Sequence, residues 1–483
     1  MLNILKGRNF VWAIIIVLTG AASACHKDKN SDEGDKNALI NDWILENMQT
    51  YYLWEDKIPA KTDKTLNPDE YFETLLYRAE DRFSWIEENY VDLINSFSGI
   101  TKEAGYDFNL FRTDEVNVGG YITYVKPNSP AEKADLRRGD FFFTINQTPM
   151  TMNNYQTLLG ETGKAHTLGV IDTVAEKIVD IPLLVVVYEE NPILLDTIYT
   201  IDSKKIGYIV YNFFAPDNGS GNKSYEKQLN NIFTEFKSAA IDELVLDLRY
   251  NGGGYISTAI VLAGMISNCT VQDLFGYEQY NDILTRYYKE QDPDFYKIYF
   301  ENLIITHNSR GQAIESVPIV HLDAKRLYVL TSYGTASASE LVINSLSPYL
   351  NSIVRVGETT YGKNVGSFTI YEEDAVKQQT NKWGMQPIVM KSANKNNFSD
   401  YGNGFVPDIE VNELKYDILP LGDTEEPLLQ AAIDHILGRP SHLKPKAKRS
   451  NIKQSTHLGS AIDRTPARRN MLVSPRKFEK LSK

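Results

Sequence analysis

Apolar positions change period along this chain, and the changes mark its parts. From residue 38 to residue 103 they recur at three- and four-residue steps, as in Ile40, Trp43, Ile44, Met48, Tyr51 and Tyr52, which lines one face of a helix. A second helix is expected with Asn67 as cap, Pro68 at its first position, and Asp69 and Glu70 in its first turn. Residues 104–188 carry strand patterns instead: Gly119-Gly-Tyr-Ile-Thr-Tyr-Val125, then Phe141-Phe-Phe-Thr-Ile-Asn146. Between them lie a capped helix start at Ser129-Pro130 and a turn at Gly139-Asp140. From 189 to 438 strands and helices alternate. The strands are Lys205–Phe214, Leu244–Arg249, Leu327–Leu330 and Ile353–Val356; the helices are Ser224–Ala240, Ile256–Ile266 and Leu341–Leu346. Alternation of this kind predicts an α/β domain with a largely parallel sheet and sites beyond the strands' C-terminal ends. A β-rich domain and an N-terminal helical region precede it.

The first residues read as an address. Lys6 and Arg8 precede the apolar run Phe10–Leu18, then Gly20-Ala-Ala-Ser-Ala24 and Cys25. The run is short for a membrane span and has the order of an export signal over 1–24. Small residues directly before Cys25 resemble a bacterial lipoprotein cleavage site, which implies a lipid on Cys25 and an exported protein anchored at the cell envelope, on its periplasmic or surface face. The plainer alternative is an ordinary signal cut after the Ala-Ser-Ala triplet. Residues 25–37 are polar throughout and are expected to form a flexible tether. The second cysteine, Cys269, stands alone, so no disulfide framework is expected.

The net charge is −13. Residues 439–483 are basic and are expected to be a disordered tail, which leaves the body more acidic still. An acidic body argues against nucleic acid as a partner.

Candidate chemistry gathers at strand ends. Thr331-Ser-Tyr-Gly-Thr-Ala-Ser337-Ala-Ser339-Glu340 is a strand-to-helix turn built of small residues, which brings backbone close to a ligand. Ser337 can be a nucleophile there. It can equally be an N-cap, because Ser337-Ala-Ser-Glu340 fits a capping box with Glu340 reaching back. Asn251-Gly-Gly-Gly254 follows another strand, and its N–H groups can converge on one oxygen, although a plain turn has the same pattern. His307 and His321 sit in strand-like sequence and make no obvious base for Ser337. A histidine-dependent hydrolase remains a rival reading. Lys363, in Gly357-Glu-Thr-Thr-Tyr-Gly-Lys363, follows the next strand and shares the crevice with Ser337 if the two strands are neighbours. To act as a base it must be neutral, which burial can achieve.

Two resemblances follow from these residues. The order strand, Ser-Pro-Ala helix, Gly-Asp turn, strand in 104–188 resembles a PDZ domain. It implies a groove that takes a peptide as an added strand, with Gly105, Tyr106, Asp107 and Phe108 as the carboxylate-binding loop. Asp107 departs from that role, since its charge opposes a carboxylate, and a closed groove is the alternative. Behind it, Asp247-Leu-Arg-Tyr-Asn-Gly-Gly-Gly254, Thr335–Glu340, Gly357–Lys363 and Gly404-Phe-Val-Pro-Asp-Ile-Glu-Val411 resemble the C-terminal processing (tail-specific) peptidases. The resemblance implies a Ser–Lys endopeptidase acting on protein substrates, without metal or other cofactor. In it Ser337 is the nucleophile and Lys363 the base, while Ala338 and Gly252 or Gly253 supply oxyanion N–H groups. Ser367 stands where many members have a glutamine that orients the lysine. The rival within the same fold is a non-catalytic peptide-binding lipoprotein.

Overall fold

The computed structural model describes residues 29–172, 175–445, 458–464 and 466–473. Cys25 and the expected export signal lie outside the described residues. The first helix, Lys29–Tyr51, begins inside the stretch expected as a tether. A polar sequence does not prevent a helix once Ile44, Met48 and Tyr51 anchor its other half. The second helix, Pro68–Leu75, starts as expected after Asn67, although Asn67 makes no side-chain cap and accepts a hydrogen bond from Asn37.

Strands Tyr106–Arg112, Val118–Val125, Phe141–Ile145, His166–Asp172 and Lys177–Leu183 form an antiparallel sheet in that order. It encloses its own core of Phe108, Ile122, Phe142 and Leu168. The short helix Pro130–Lys133 is capped by Ser129, whose hydroxyl accepts the Glu132 N–H at 3.2 Å.

The sheet of the α/β region runs Ile193–Ile201, Lys204–Tyr211, Glu243–Asp247, Arg326–Thr331, Ser352–Gly357, Ile409–Glu410. Only the first pair is antiparallel. Alternate residues face opposite cores, as a pleated strand requires. Ile209, Leu246 and Val329 pack with helices Ser224–Ala239, Ile256–Ile266 and Ala338–Leu346. Tyr208, Val245 and Tyr328 pack with helix Pro427–Ile436. Three adjacent parallel strands, ending at Asp247, Thr331 and Gly357, therefore deliver the loops that follow them to one place.

A second sheet lies beside that place, in the order Gly254–Tyr255, Met471–Leu472, Val365–Ser367, Ile388–Ala393, Leu274–Tyr280, Lys297–Tyr299. Part of the basic stretch expected to be disordered is thus a strand inside a sheet. Composition misled here because Met471, Leu472 and Val473 are buried, and because Arg468 and Arg469 are paired with carboxylates rather than solvated. No helix among the described residues is long and apolar enough to cross a membrane.

Candidate active site

Ser337 opens the helix that follows strand Arg326–Thr331. Its backbone is at φ 62°, ψ −116°, a region L-residues avoid, so the surrounding contacts must hold it there. Those contacts form a latch. The carbonyl of Asn251 accepts from the Ala336 N–H at 3.1 Å and the Ser339 hydroxyl at 3.0 Å. Thr335 Oγ1 donates to the Leu248 carbonyl at 2.8 Å, and the Tyr361 N–H donates to the Thr335 carbonyl at 2.9 Å. The latch also distinguishes Ser337 from its neighbour Ser339. The Ser339 hydroxyl is committed to Asn251. Ser337 Oγ, fully buried, has no hydrogen-bond partner.

The expected capping box is present, with one of its two contacts at hydrogen-bond geometry. Glu340 Oε2 accepts the Ser337 N–H at 2.9 Å, while the hydroxyl side of the box is too loose to be a hydrogen bond. The same carboxylate accepts from the Thr360 hydroxyl at 2.5 Å, the Gly362 N–H at 2.7 Å and the Lys363 N–H at 2.8 Å. Burial pushes the Glu340 carboxyl up, against these donors, which hold it down. Glu340 therefore ties the serine turn to the lysine loop, a role its position in a capping box does not reveal.

Lys363 is 1% exposed and lies 4.9 Å from the Phe83 ring centroid. Burial lowers its amine to about 7; Asp81 and Glu340 act upward and Arg469 downward. Its Nζ donates to the Arg469 carbonyl at 2.6 Å and to Asn470 Oδ1 at 3.0 Å. Ser367 has other partners than the lysine: its hydroxyl accepts from Gln386 Nε2 at 3.1 Å and donates to Asn470 Oδ1 at 3.4 Å. The lysine-orienting role expected for Ser367 has no hydrogen bond to support it, because its hydroxyl is engaged by Gln386 and Asn470. A buried glutamine does enter this region, Gln386, from a strand nineteen residues along the chain.

The glycine loop shows why side chains are missing from it. A Cβ on Gly252 would lie 1.9 Å from the Arg468 carbonyl oxygen. One on Gly253, at φ 117°, would lie 2.6 Å from both Ser337 Cβ and the Asn470 carbonyl oxygen. The Gly253 N–H donates to Asn251 Oδ1 at 2.9 Å, and the Gly254 N–H donates to the Asn470 carbonyl at 2.5 Å.

Of the expected peptide loop, Gly105 takes φ 87°, and its carbonyl accepts from the Lys126 N–H. Tyr106 bonds His166 through its hydroxyl. The backbone of the strand carrying Phe108 is used as an added-strand edge by residues 459–461. The Leu110 N–H donates to the Gly459 carbonyl at 2.9 Å, and the Ala461 N–H donates to the Phe108 carbonyl at 3.0 Å. Asp107 binds a cation, forming an ion pair with Arg468. Its negative charge, at odds with a carboxylate site, suits the guanidinium it meets. Neither histidine approaches this chemistry through a hydrogen bond: His321 Nδ1 pairs with the Gly264 carbonyl at 2.8 Å, and His307 ends the strand Leu303–His307.

Residues 205–411 match peptidase family S41, residues 39–85 the peptidase S41 N-terminal domain, and residues 121–171 a PDZ domain. The carboxyl-terminal-processing protease of Picosynechococcus sp. is 24% identical over 397 residues, covering 80% of this chain and 84% of that protein. The carboxy-terminal processing protease CtpA of Bacillus subtilis is 24% identical over 381 residues, covering 77% and 72%. The crystal structure of a candidate S41 protease from Bacteroides fragilis superposes with a TM-score of 0.63 at 26% identity, covering 82% of this chain and 97% of that one. With helical region, PDZ domain and peptidase domain matched in chain order, the chain belongs to peptidase family S41, the C-terminal processing peptidases, and is a serine-type endopeptidase.

Proposed function

We propose that Ser337 and Lys363 form the catalytic dyad, and that the enzyme cleaves exported proteins engaged through extended or C-terminal segments by the PDZ domain. The observation that carries this reading is a lysine amine lowered to about 7, held on the same carboxylate as a strained, buried serine whose Oγ is unpaired. A neutral Lys363 accepts the Ser337 proton as Oγ attacks the substrate carbonyl. The N–H groups of Ala338 and Gly252 stabilise the oxyanion, since the expected alternative, the Gly253 N–H, is committed to Asn251 Oδ1. Protonated Lys363 then donates to the leaving amine, and water, deprotonated by the same lysine, releases the acyl group. As a neutral amine, Lys363 Nζ has two N–H groups for the Arg469 carbonyl and Asn470 Oδ1, which leaves its lone pair to accept the Ser337 proton.

The matched carboxyl-terminal-processing proteases support substrates approached from their C-termini. The small residues before Cys25 support a lipid on that cysteine, and with it anchoring at the cell envelope. Mass spectrometry of the N-terminal peptide of membrane-fraction protein tests the lipid. For the dyad, wild type, Ser337→Ala and Lys363→Ala are compared on an unstructured protein. Cleavage by wild type alone is expected; cleavage by all three overturns the dyad.

A further inference from the structure

Arg468 enters a pocket at the junction of the PDZ and peptidase domains. Its guanidinium is ion-paired with Asp107 and Glu190, and Nη2 lies 3.3 Å from the Tyr124 hydroxyl. Glu190 also accepts from Tyr124 at 2.9 Å and pairs with Lys126 at 2.6 Å; Lys126 pairs with Glu103 at 2.7 Å and lies 3.9 Å from Asp107. Three carboxylates thus face one resident lysine. The side chains of Asp107 and Glu190 are 6% and 4% exposed. Buried carboxylates in excess of their cations are costly unless a further cation joins them, so this pocket is built for one. A guanidinium suits it, since its fork of donors serves Asp107, Glu190 and Tyr124 together.

The segment that supplies Arg468 follows the path a substrate would take. Residues 459–461 add to the edge of the PDZ strand Tyr106–Arg112. Two residues after Arg468, Asn470 lies over the glycine loop, with its own carbonyl and that of Arg469 meeting the dyad region: the Arg469 oxygen at Lys363, the Asn470 oxygen at Gly254. Met471–Leu472 then pairs in parallel with Gly254–Tyr255 on one side and with Ser367 on the other, and the Val473 N–H donates to the Ser367 carbonyl. An extended peptide inserted between the strand after the glycine loop and the strand after Lys363 is a substrate-like pose.

We propose that Asp107, Glu190 and Tyr124 form an arginine-accepting subsite of the cleavage cleft, occupied here in cis by Arg468 of the chain's own residues 458–473. The preferred substrates therefore carry an arginine as the second or third residue before the cleaved bond, and the cis segment competes with them. This rests on the cleft assignment above but not on the dyad's chemistry, so it is tested by binding.

A fluorescent peptide of sequence 458–473 is titrated into full-length Ser337→Ala protein with and without Arg468→Glu. Arg468→Glu places a carboxylate against the acidic pocket and expels the cis segment. The expected result is binding to the double variant at least about tenfold tighter than to Ser337→Ala, with that binding weakened at least about tenfold when the peptide's arginine at the position of Arg468 is replaced by glutamate. Equal binding to both proteins, or indifference to that arginine, overturns the subsite. If Arg468→Glu abolishes the thermal transition, hydrogen exchange at 468–473 is followed in Ser337→Ala as peptide is added. Faster exchange with rising peptide supports competition for one cleft, and unchanged exchange at saturating peptide refutes it. In the active background, Arg468→Glu is expected to raise kcat/KM on an unstructured protein several-fold. Peptide binding as expected with no cleavage by any form would leave the subsite standing and remove the Ser–Lys reading.

Discussion

The main-chain N–H groups of Ser337 and Lys363 donate to one atom, Glu340 Oε2, at 2.9 and 2.8 Å. Two loops that leave different strands are thereby fixed to each other through a single carboxylate oxygen. Glu340→Gln keeps the size of the side chain but can turn an amide NH2 toward these donors. Whichever way the amide faces, it loses one acceptor among four donating groups, all buried. Glu340→Gln is expected to lower kcat by about 100-fold with a small change in KM, because the loops lose registry rather than substrate contacts. It is also expected to destabilise the fold by about 1–3 kcal/mol, read by denaturant unfolding. An unchanged kcat would show that the shared oxygen does not set the geometry of the dyad.

The lysine's environment fixes a pH dependence. With its amine lowered to about 7, Lys363 is neutral, and competent as a base, only above that pH. The limb of kcat/KM is expected to rise with pH and level off above about 7. Lys363→Arg keeps a charge that is never lost near neutrality and is expected to be inactive at every pH tested. Stability moves with the same group. The unfolded lysine holds its proton up to about 10.4. Between about 7 and that value the unfolded chain binds the extra proton, so stability rises with pH; the burial cost is fully present below about 7. Lys363→Met should flatten this part of a stability-against-pH curve.

Much of this site can be read from the residues, and the limits have physical causes. The strand and helix periods located the three loops, because alternating faces of the sheet pack against helices on both sides. The residues that complete the site escaped because each acts across a long sequence separation. Glu340 looked like a cap, since its bond to Ser337 is local while its bonds to Gly362 and Lys363 are not. Arg468 and Arg469 looked like a solvated tail, because composition cannot see that Asp107, Glu190 and Asp463 wait for them. Gln386 carries no local signal at all. Asp107 was visible as an anomaly, and its partner explains it.

Arg249, within the loop motif, is 1% exposed and pairs with Asp247 at 2.8 Å and with Glu426, while Glu413 lies 3.2 Å away. Arg138 of the PDZ domain pairs with Glu413 as well, so the cluster joins both domains beneath the glycine loop. Removing one partner of such a buried cluster typically costs about 3–5 kcal/mol, because the remaining charges stay buried. Arg249→Met is expected to lose that much stability, measured by urea unfolding. Arg355→Met is the control: Arg355 pairs with Asp408, which is 43% exposed, and its loss should cost about 1 kcal/mol or less. Equal costs for the two would show that the cluster is not the keystone its burial implies.

Ser367 and Lys363 should separate in a kinetic comparison. Ser367 touches Gln386 and Asn470, not the amine. Ser367→Ala is expected to lower kcat less than about tenfold, whereas Lys363→Ala should remove about 100-fold or more, the usual contribution of a positioned base. A collapse of kcat in Ser367→Ala would restore this serine to the catalytic group.

Gly253 gives a steric test of the cleft. At φ 117° it already excludes ordinary side chains, and a Cβ there would press within 2.6 Å of Ser337 Cβ and the Asn470 carbonyl oxygen. Displacing Asn470 relieves only one of the two contacts and frees the cleft, whereas the contact with Ser337 Cβ is relieved only by moving the serine, which misplaces the nucleophile. Gly253→Ala is expected to lower kcat/KM by about 100-fold through misplacement of the nucleophile. Gly221→Ala shares the positive φ, at 74°, but meets nothing within 4 Å. It should cost about 1 kcal/mol of stability and leave kcat/KM unchanged. If the two alanine variants lose activity equally, backbone strain alone accounts for the effect, and the close approach of Gly253 to Ser337 is not what the reaction needs.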